Sequence, residues 1–381
     1  MKITILGWYG TETLGDRAIL AGIFKLIYES LGSSEIYLGS LYPFFSQRTL
    51  DEDVNFWREI INVNFKVKLF DSKLPSEIDK YIEISDLIII GGGPLMHITP
   101  MYMLRYAFKK ARKLGKPTAV FGCGIGPLFT NNFQECLLDI LKFSNLIILR
   151  DKKSLKTLDQ ITKSRQEKIE KEIITSIDPS VLACTLFKSM SKRKVDEYVA
   201  VNLRSYPIIY SDKKESVRIN NNIANFIEYI TETKKNRQIK LIPMHYFHLG
   251  GDDRDFYRVL LNEIKKPNIV MQETPLTLFE TMNIFQNANE CYGMRLHSVI
   301  LQTILNGNNF ILDYTEPEVG KISGFLDQID KKGFYNNRYV NLLRENNYAK
   351  IISTKKDTFI YNKNIIEKEL GKYKIGINKL F

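Results

Sequence analysis

The sequence has few cysteines and few histidines. Its 381 residues include four of each, and the cysteines are Cys123, Cys136, Cys184 and Cys291. They are widely spaced and form no Cys-x-x-Cys pair, so they indicate reduced thiols rather than a disulfide framework or a zinc site. This cysteine usage favours a cytosolic protein, and the predicted localisation is therefore cytoplasmic.

Long apolar runs are also missing. The longest ones, such as Leu87–Ile90, are too short to span a bilayer. The N-terminus begins with a predicted strand, Lys2–Leu6, and has neither the apolar segment nor the cleavage site of a signal peptide. The sequence predicts a soluble protein, or one that meets a membrane only at its inner face as a peripheral protein.

Several catalytic and ligand-binding motifs are absent. There is no Gly-x-Ser-x-Gly elbow, no Gly-Lys-Ser/Thr phosphate loop, no dinucleotide fingerprint and no basic-aromatic repeat for nucleic acid. Lys and Arg total 54 against 43 acidic residues, which gives a net charge of +11 and a pI near 9.2. Such a surplus suits phosphorylated metabolites or an anionic membrane surface. A solvated basic surface without a specific partner is the alternative, and we expect no nucleic-acid partner.

The apolar runs that are present alternate with helical patterns in two tandem arrays. Short buried strands end in glycine-rich or polar loops, a pattern typical of parallel α/β sheets with ligand sites at the strands' carboxyl ends. The sequence predicts two Rossmann-like domains that face each other across a cleft, at residues 1–188 and 195–350. A helical tail is expected at 351–381. The polar basic run at 188–194 marks the boundary.

Other segments have weaker signals. The chain between Gly39 and Pro75 is less regular, 163–172 is predicted as a charged helical stretch, and residues from about 340 onwards are predicted to be helical and lysine-rich. The helix expected at 101–114 carries Arg105, Lys109, Lys110, Arg112 and Lys113. We interpret this basic face as solvated, with a lipid or diphosphate contact as the alternative.

The turn Gly293–Ser298 is the strongest candidate for an anion site. It follows a short apolar segment and precedes a helical pattern that stops at Asn306–Gly307. Free backbone N–H groups and the helix dipole attract anions at such a turn. Arg295 and His297 alternate and can point at one ligand, and histidine is a residue type suited to proton transfer. A structural arginine and a core histidine are the alternative.

Glycine-rich loops end three strands of the first array. Gly10 and Asp16 belong to the first loop, Gly92 and Gly93 to the second, and Gly126 to the third. Three consecutive glycines in the second loop imply close approach of a ligand or of another part of the backbone. As bare patterns, such loops are equally consistent with tight turns.

Arg150 follows another strand of the first array. An arginine just past a strand's carboxyl end is well placed to bind a ligand anion. A surface ion pair with Asp151 is equally consistent with the sequence.

A histidine pair, His245 and His248, lies near Asp252 and Asp253. Such a group is compatible with a metal site, but Pro243 and nearby glycines indicate a loop rather than one helical face. We therefore favour a loop that holds a sugar or a nucleotide through His245 and the aspartates, and we predict no metal.

These segments together resemble the polysaccharide pyruvyl transferases. The ordered set spans roughly residues 3 to 325, and it is the set that is specific, since each element alone is weak. The residues that carry the resemblance are Gly7, Gly10, Leu14–Ile19, Gly91–Gly93, Gly124–Pro127, Arg150–Asp151, Asp178–Pro179, Pro243–His245, Gly293–Ser298, Tyr314 and Lys321.

The resemblance implies a fold similar to that of the B-type glycosyltransferases. It also implies transfer of the pyruvyl group of phosphoenolpyruvate to a sugar of a cell-surface polysaccharide or of its lipid-linked precursor, with release of phosphate. His297 and Arg295 would be catalytic, and no cofactor or metal is expected. The implied donor site comprises Arg150, Arg295, Lys321, Gly293 and Ser298.

Two positions of the first loop depart from the family pattern. Thr13 stands where the family often has Asn, and Arg17 stands where an acid is common. A nucleotide-sugar glycosyltransferase of the same fold and a non-catalytic sugar-phosphate binding protein are the alternatives. The implied acceptor residues are Gly10, Asp16, Gly92, Gly93, Gly126 and His245.

Overall fold

The chain divides into two compact units. The computed structural model describes residues 1–207, 213–247, 251–344, 348 and 357–381. The first unit comprises Met1–Leu186 and Asn362–Phe381, and the second comprises Phe187–Tyr361. His248, a candidate metal ligand in the sequence, lies outside the described residues.

The first unit is built on a parallel sheet of short, buried apolar strands. These are β1 (Lys2–Leu6), β2 (Glu35–Ser40), β3 (Lys66–Asp71), β4 (Leu87–Gly91), β5 (Pro94–Leu95), β6 (Thr118–Ile125), β7 (Leu146–Leu149) and β8 (Ile173–Thr175). Their order is β3-β2-β1-β4-β6-β7-β8, and β5 pairs with β6. The order reverses between β1 and β4, so the carboxyl ends of these strands flank the switch point where open α/β sheets bind ligands.

Helices connect these strands and bury their apolar faces against the sheet. They are α1 (Leu14–Leu31), α2 (Pro43–Asn55), α3 (Pro75–Ile84), α4 (Met101–Lys113), α5 (Asn131–Phe143), α6 (Lys152–Arg165) and α7 (Ser180–Met190), with a π-helical turn at Phe56–Ile60. One core cluster includes Ile88 and Ile90 of the sheet and Phe108 and Leu141 of the helices.

The second unit repeats this architecture. Its described strands are β9 (Tyr198–Asn202), β10 (Gln238–Leu241), β11 (Ile269–Met271), β12 (Glu290–Gly293), β13 (Asn309–Asp313) and β14 (Tyr339–Asn341). They pair in parallel in the order β11-β10-β9-β12-β13-β14, with the switch point between β9 and β12. The described helices are α8 (Lys213–Thr233), α9 (Asp253–Ile264), α10 (Leu278–Asn287), α11 (Leu296–Leu305) and α12 (Lys321–Ile329), with a 3₁₀ turn at Phe334–Asn337.

The last helix, α13 (Lys363–Asn378), belongs to the first unit. The Tyr373 hydroxyl donates to the Ile177 carbonyl at 2.7 Å, and the Ser176 hydroxyl donates to the Glu369 carbonyl at 2.7 Å. The prediction of a separate tail at 351–381 is therefore wrong for this helix, because its apolar face closes one side of the first unit's core. The division between the units falls within α7, between residues 186 and 187.

Three weaker predictions also need correction. The helix expected through 172 ends at Arg165, because Gln166 adopts a left-handed conformation with φ 54°. The helical prediction from 340 onwards missed β14, and residues 345–347 and 349–356 lie outside the described part of the chain. The irregular segment before Pro75 contains α2, the π-helical turn and β3.

The basic face of α4 is occupied by ion pairs. Lys110 lies 3.5 Å from Asp79 and 3.0 Å from Glu83, and Arg105 lies 3.4 Å from Asp139. These contacts support the interpretation of a solvated, locally neutralised surface. Within the described ranges, no helix combines the length and the apolar character needed to cross a membrane.

Candidate functional site

The turn between β12 and α11 has the strand-to-helix geometry that the sequence predicts. Arg295 occupies the N-cap position of α11, and its backbone N–H donates to Asn202 Oδ1 at 3.2 Å, at the end of β9. Ser298 is buried, and its hydroxyl donates to the Arg295 carbonyl at 2.8 Å. A Cβ at Gly293 would lie 2.7 Å from Gln302 Oε1. Gly293 and Ser298 therefore shape the turn, and their predicted contact with a donor stays a prediction.

Asp253 holds the Arg295 guanidinium from one side. Arg295 Nε lies 2.9 Å from Asp253 Oδ2 and 3.1 Å from Oδ1, and Nη2 also donates to this carboxylate. The Arg295 side chain is 17% exposed and that of Asp253 only 2%. Burial disfavours the charged guanidinium, but the Asp253 charge outweighs that effect and raises the pKa of Arg295. A ligand would therefore meet Arg295 at its Nη1 side.

Cationic side chains lie near the phenol of Tyr314, which is 1% exposed. Arg204 Nη1 lies 3.4 Å from the Tyr314 hydroxyl, and Lys321 Nζ lies 6.0 Å from the ring centroid. Burial opposes ionisation of Tyr314, but the charges of Lys321, Arg204 and Arg295 outweigh burial and lower the pKa of Tyr314 to about 8. We call Arg204, Arg295 and Lys321 the cation cluster.

The second unit contains most of the predicted donor residues. His297 is half-buried in the first turn of α11, two residues after Arg295, and Lys321 begins α12. Arg204 was missed as a site residue, Asp253 was named only as a contact of a sugar or a nucleotide, and Tyr314 was quoted without a role. A signal for Arg204 existed, since it follows β9 as Arg295 follows β12, on the two sides of the switch point.

The loop before α9 is organised by its aspartates. Asp252 caps α9 by accepting from the Arg254 N–H at 2.9 Å, and it also accepts from the Phe247 N–H at 2.9 Å. His245 is buried, and its N–H donates to Asp253 Oδ2 at 3.2 Å. The aspartates thus serve backbone caps and Arg295, and the predicted contact of His245 and the aspartates with a sugar or a nucleotide stays a prediction. Within the described residues, no group of three or more His, Cys, Asp and Glu side chains could hold a metal.

Arg150 lies in the first unit and is buried, with a side chain that is 4% exposed. Its Nη1 donates to Asp178 Oδ2 at 3.2 Å, and its Nε lies 3.6 Å from Asp151 Oδ2. A Cβ at position 124 would lie 2.7 Å from Nη2, so the guanidinium packs directly on Gly124. The ion pair is therefore buried rather than at the surface. These contacts support a structural role, and the donor contact of Arg150 stays a prediction.

The glycines after β4 make room for two aromatic side chains. A Cβ at Gly93 would lie 2.5 Å from Trp8 Cδ1, and one at Gly92 would lie 2.8 Å from the Tyr9 hydroxyl. Trp8 Nε1 donates to the Pro94 carbonyl at 2.7 Å, and the Tyr9 hydroxyl donates to Gly91 at 2.8 Å. The prediction named a ligand or another part of the backbone, whereas the groups that approach Gly92 and Gly93 most closely in the structure are these aromatic side chains.

Of the other predicted acceptor residues, Gly10, Asp16 and Gly126 lie at the same edge of the first sheet, whereas His245 belongs to the second unit. Gly10 has φ 84°, and Gly126 has φ 87° before Pro127. Asp16 lies in the first turn of α1, where its N–H donates to the Thr13 cap at 3.4 Å. Gly10, Thr13 and Asp16 line one pocket.

The departure at Arg17 also has a structural explanation. Arg17 Nε donates to Asp53 Oδ2 at 2.6 Å in a buried pair, so this arginine joins α1 to α2.

Comparison with known families decides the affiliation. The sequence matches the family model described as polysaccharide pyruvyl transferase over residues 14–316. The chain belongs to the polysaccharide pyruvyl transferase family. The resemblance seen in the motifs is thereby confirmed, and the family indicates a transferase that acts on polysaccharide. Among curated proteins, none matches this sequence with significance.

Solved structures confirm the fold of this pyruvyl transferase family member. UDP-GlcNAc 2-epimerase from Methanocaldococcus jannaschii is 15% identical, with complete coverage of both chains (100% and 100%) and a TM-score of 0.59. The same enzyme in complex with UDP-GlcNAc and UDP gives a TM-score of 0.57 at 13% identity, again with 100% coverage of each chain. The S. aureus MnaA–UDP co-structure is 13% identical over 83% of this chain and 81% of that one, with a TM-score of 0.51. At these identities the likeness shows the fold alone, that of the B-type glycosyltransferases.

Proposed function

We propose that this chain transfers the pyruvyl group of phosphoenolpyruvate to a saccharide, as a cyclic ketal, and releases phosphate. The observation that carries the proposal is the cation cluster of Arg204, Arg295 and Lys321 at the carboxyl edge of the second sheet. Phosphoenolpyruvate carries a carboxylate and a phosphate, and several cations in one site match that charge. Family membership supports the reaction class.

In the proposed reaction, His297 donates a proton to the methylene carbon of the donor. C2 then becomes electrophilic, a sugar hydroxyl adds to it and returns its proton to His297, and phosphate leaves. A second hydroxyl closes the ketal, and its proton goes to the released phosphate. The cation cluster stabilises the anionic donor and the departing phosphate electrostatically. The N-terminus of α11 adds backbone N–H groups at the same turn. This scheme needs no metal or cofactor.

We propose that the acceptor is a saccharide of a cell-surface polysaccharide or of its lipid-linked precursor. The glycine-rich loops after β1, β4 and β6 support an acceptor site in the first unit, because β1 and β4 flank the switch point of that sheet. The net charge of +11 is compatible with peripheral contact to an anionic membrane surface.

Replacing His297 with Ala tests the chemical step. We expect phosphate release to fall by at least about 100-fold, because general acid catalysis contributes at least that much. Phosphoenolpyruvate should still raise the melting temperature of this variant, because the cation cluster is intact. Asp255→Asn, an exposed substitution in α9, is the control and should keep turnover. Phosphate release near the wild-type rate from His297→Ala would remove this role from His297.

Ligand-induced thermal shifts distinguish the proposal from its alternatives. Phosphoenolpyruvate should raise the melting temperature, and UDP-GlcNAc, which is bound by a protein of the same fold, should not. The opposite result would favour a nucleotide-sugar glycosyltransferase. A shift with phosphoenolpyruvate but no phosphate release with any lipid-linked or model glycoside would favour a non-catalytic binding protein.

A further inference from the structure

Tyr314 is a buried phenol among positive charges that the proposed reaction does not use. It follows β13, whereas the three members of the cation cluster come from other elements: Arg204 follows β9, Arg295 caps α11 and Lys321 begins α12. Arg204 Cζ lies 5.5 Å and Lys321 Nζ 6.0 Å from the centroid of its ring, so an uncharged Tyr314 already gains from cation–π contacts. An ionised Tyr314 gains more, because Arg204 Nη1 lies 3.4 Å from its oxygen and donates to it.

The carboxylates near the cation cluster have other partners. Asp253 is bound to Arg295. Asp313 accepts hydrogen bonds from the Thr315 N–H at 2.9 Å and from the Tyr339 hydroxyl at 2.9 Å. The charge of Lys321 also favours the ionised form of Asp313 and so acts to lower its pKa. The ring of Tyr206 also lies edge-on to Tyr314 at 6.3 Å. Within the described part of this site, the Tyr314 hydroxyl, which accepts from Arg204 Nη1, is thus a group that can become an anion beside the cation cluster.

We infer that Tyr314 is an exchangeable counter-ion of the donor site. Its ionised hydroxyl neutralises part of the cation cluster when the site is empty, and a bound anionic donor makes Tyr314 take up one proton from solvent. The only bond formed is the O–H bond of the phenol. This inference rests on the proposed function, because it takes phosphoenolpyruvate as the ligand.

The sign of the pH dependence follows from the lowered pKa of Tyr314, about 8. Below this pH the phenol is neutral and the cluster keeps its full positive charge, so an anion binds best. Above it the phenolate repels the anion, and by reciprocity a bound anion raises the pKa of Tyr314. Donor affinity should fall about tenfold between roughly pH 7 and pH 9. The donor's own phosphate is fully ionised over most of this range, since its second pKa is about 6.

Tyrosinate absorbance of the full chain tests the inference directly. The wild type should show one group that titrates near pH 8 and is missing in Tyr314→Phe. Saturating phosphoenolpyruvate should move this step to higher pH, and Tyr314→Phe should lose the alkaline fall in affinity. Tyr373→Phe is the matched control, because burial raises the pKa of Tyr373 well above its ordinary value.

A second variant keeps the test decisive if Tyr314→Phe does not fold. Lys321→Met removes the cation that lowers the pKa of Tyr314 most, so the titration of Tyr314 should shift to higher pH. If phosphoenolpyruvate does not bind the wild type near neutral pH, the proposed function fails, and inorganic phosphate replaces it as the probe. A step that inorganic phosphate moves upward would still support Tyr314 as a counter-ion. No tyrosine titrating near pH 8, or a step that neither anion moves, overturns the inference.

Discussion

Arg295 depends on Asp253 for its orientation, because two of its guanidinium nitrogens donate to that carboxylate. Asp253 is held in turn by the backbone N–H groups of Met244 and His245, at 3.0 and 3.2 Å. The arginine is therefore fixed by a neighbouring loop before any ligand arrives. Preorganised charge of this kind stabilises an anionic transition state without reorganisation during the reaction.

Replacing Asp253 with Asn should weaken donor binding and destabilise the fold. A buried arginine that loses its partner costs about 3 kcal/mol or more of unfolding free energy. A misplaced guanidinium should also lower phosphoenolpyruvate affinity by at least about tenfold. Urea unfolding and a donor titration measure the two effects.

Asp255→Asn is the control for this substitution. Asp255 lies in the same helix but is exposed, and its partner is Arg258 at 2.8 Å. An exposed pair contributes about 1 kcal/mol at most, so stability and affinity should barely change. Equal effects of the two variants would argue against a positioning role for Asp253.

The sequence identified Arg295 but not what holds it. A glycine, an arginine and a histidine at a strand-to-helix turn are a local pattern, and local patterns are visible in one sequence. The partner Asp253 lies 42 positions away at the start of α9, and only the adjacency of β9 with β10 and β12 brings it close. The same holds for Arg204 and Tyr314, which are 110 positions apart.

At the scale of elements, the buried strands were predicted well because parallel strands are continuous apolar runs. The turn from β12 into α11 was also predicted, because it follows such an apolar run and precedes a helical pattern. Helix α11 ends at Leu305, next to the expected Asn-Gly pair. Two edge strands were missed. Strand β3 alternates Lys66 and Lys68 with half-buried residues, and β14 has three residues, so neither presents an apolar run.

Gly22 in α1 is a sharp test of how a helix packs in this fold. A Cβ at this position would lie 2.0 Å from the Pro179 carbonyl oxygen, which is backbone and cannot move aside easily. Gly22→Ala should therefore lose about 2 kcal/mol of unfolding free energy through overpacking, although alanine is the better helix former.

The matched control is Gly371→Ala in α13, where a Cβ would meet nothing within 4 Å. This variant should gain up to about 1 kcal/mol from helix propensity alone. Thermal or urea unfolding measures both changes. Stabilisation by both substitutions would mean that α1 does not pack against Pro179 as described.

For the whole molecule, the two units differ in how the chain builds them. The first is discontinuous, since α13 returns to it after the entire second unit. The second is one continuous segment, and it contains all members of the cation cluster together with His297 and Tyr314. No local pattern in the sequence reveals such a return, because α13 has no motif and its partners precede it by almost 200 positions.

This organisation predicts that a segment of residues 180–361 folds by itself and binds phosphoenolpyruvate. It keeps α7 whole and retains every residue of the cation cluster. Its donor affinity should stay within a small factor of that of the full chain if Arg150 is structural. Circular dichroism checks the fold, and calorimetric titration measures the affinity.

Arg150→Met in the full chain is the complementary measurement. Because Arg150 is buried beside Asp151 and Asp178, its loss removes the cation next to two buried carboxylates and should lower the unfolding free energy by about 3 kcal/mol. Donor affinity, measured well below the melting temperature, should be unchanged. A variant that folds normally but binds the donor much more weakly, together with a folded segment that does not bind it, would place Arg150 in the donor site instead. Loss of activity in Arg150→Met without those two measurements cannot distinguish the roles, since a destabilised first unit would also lose turnover.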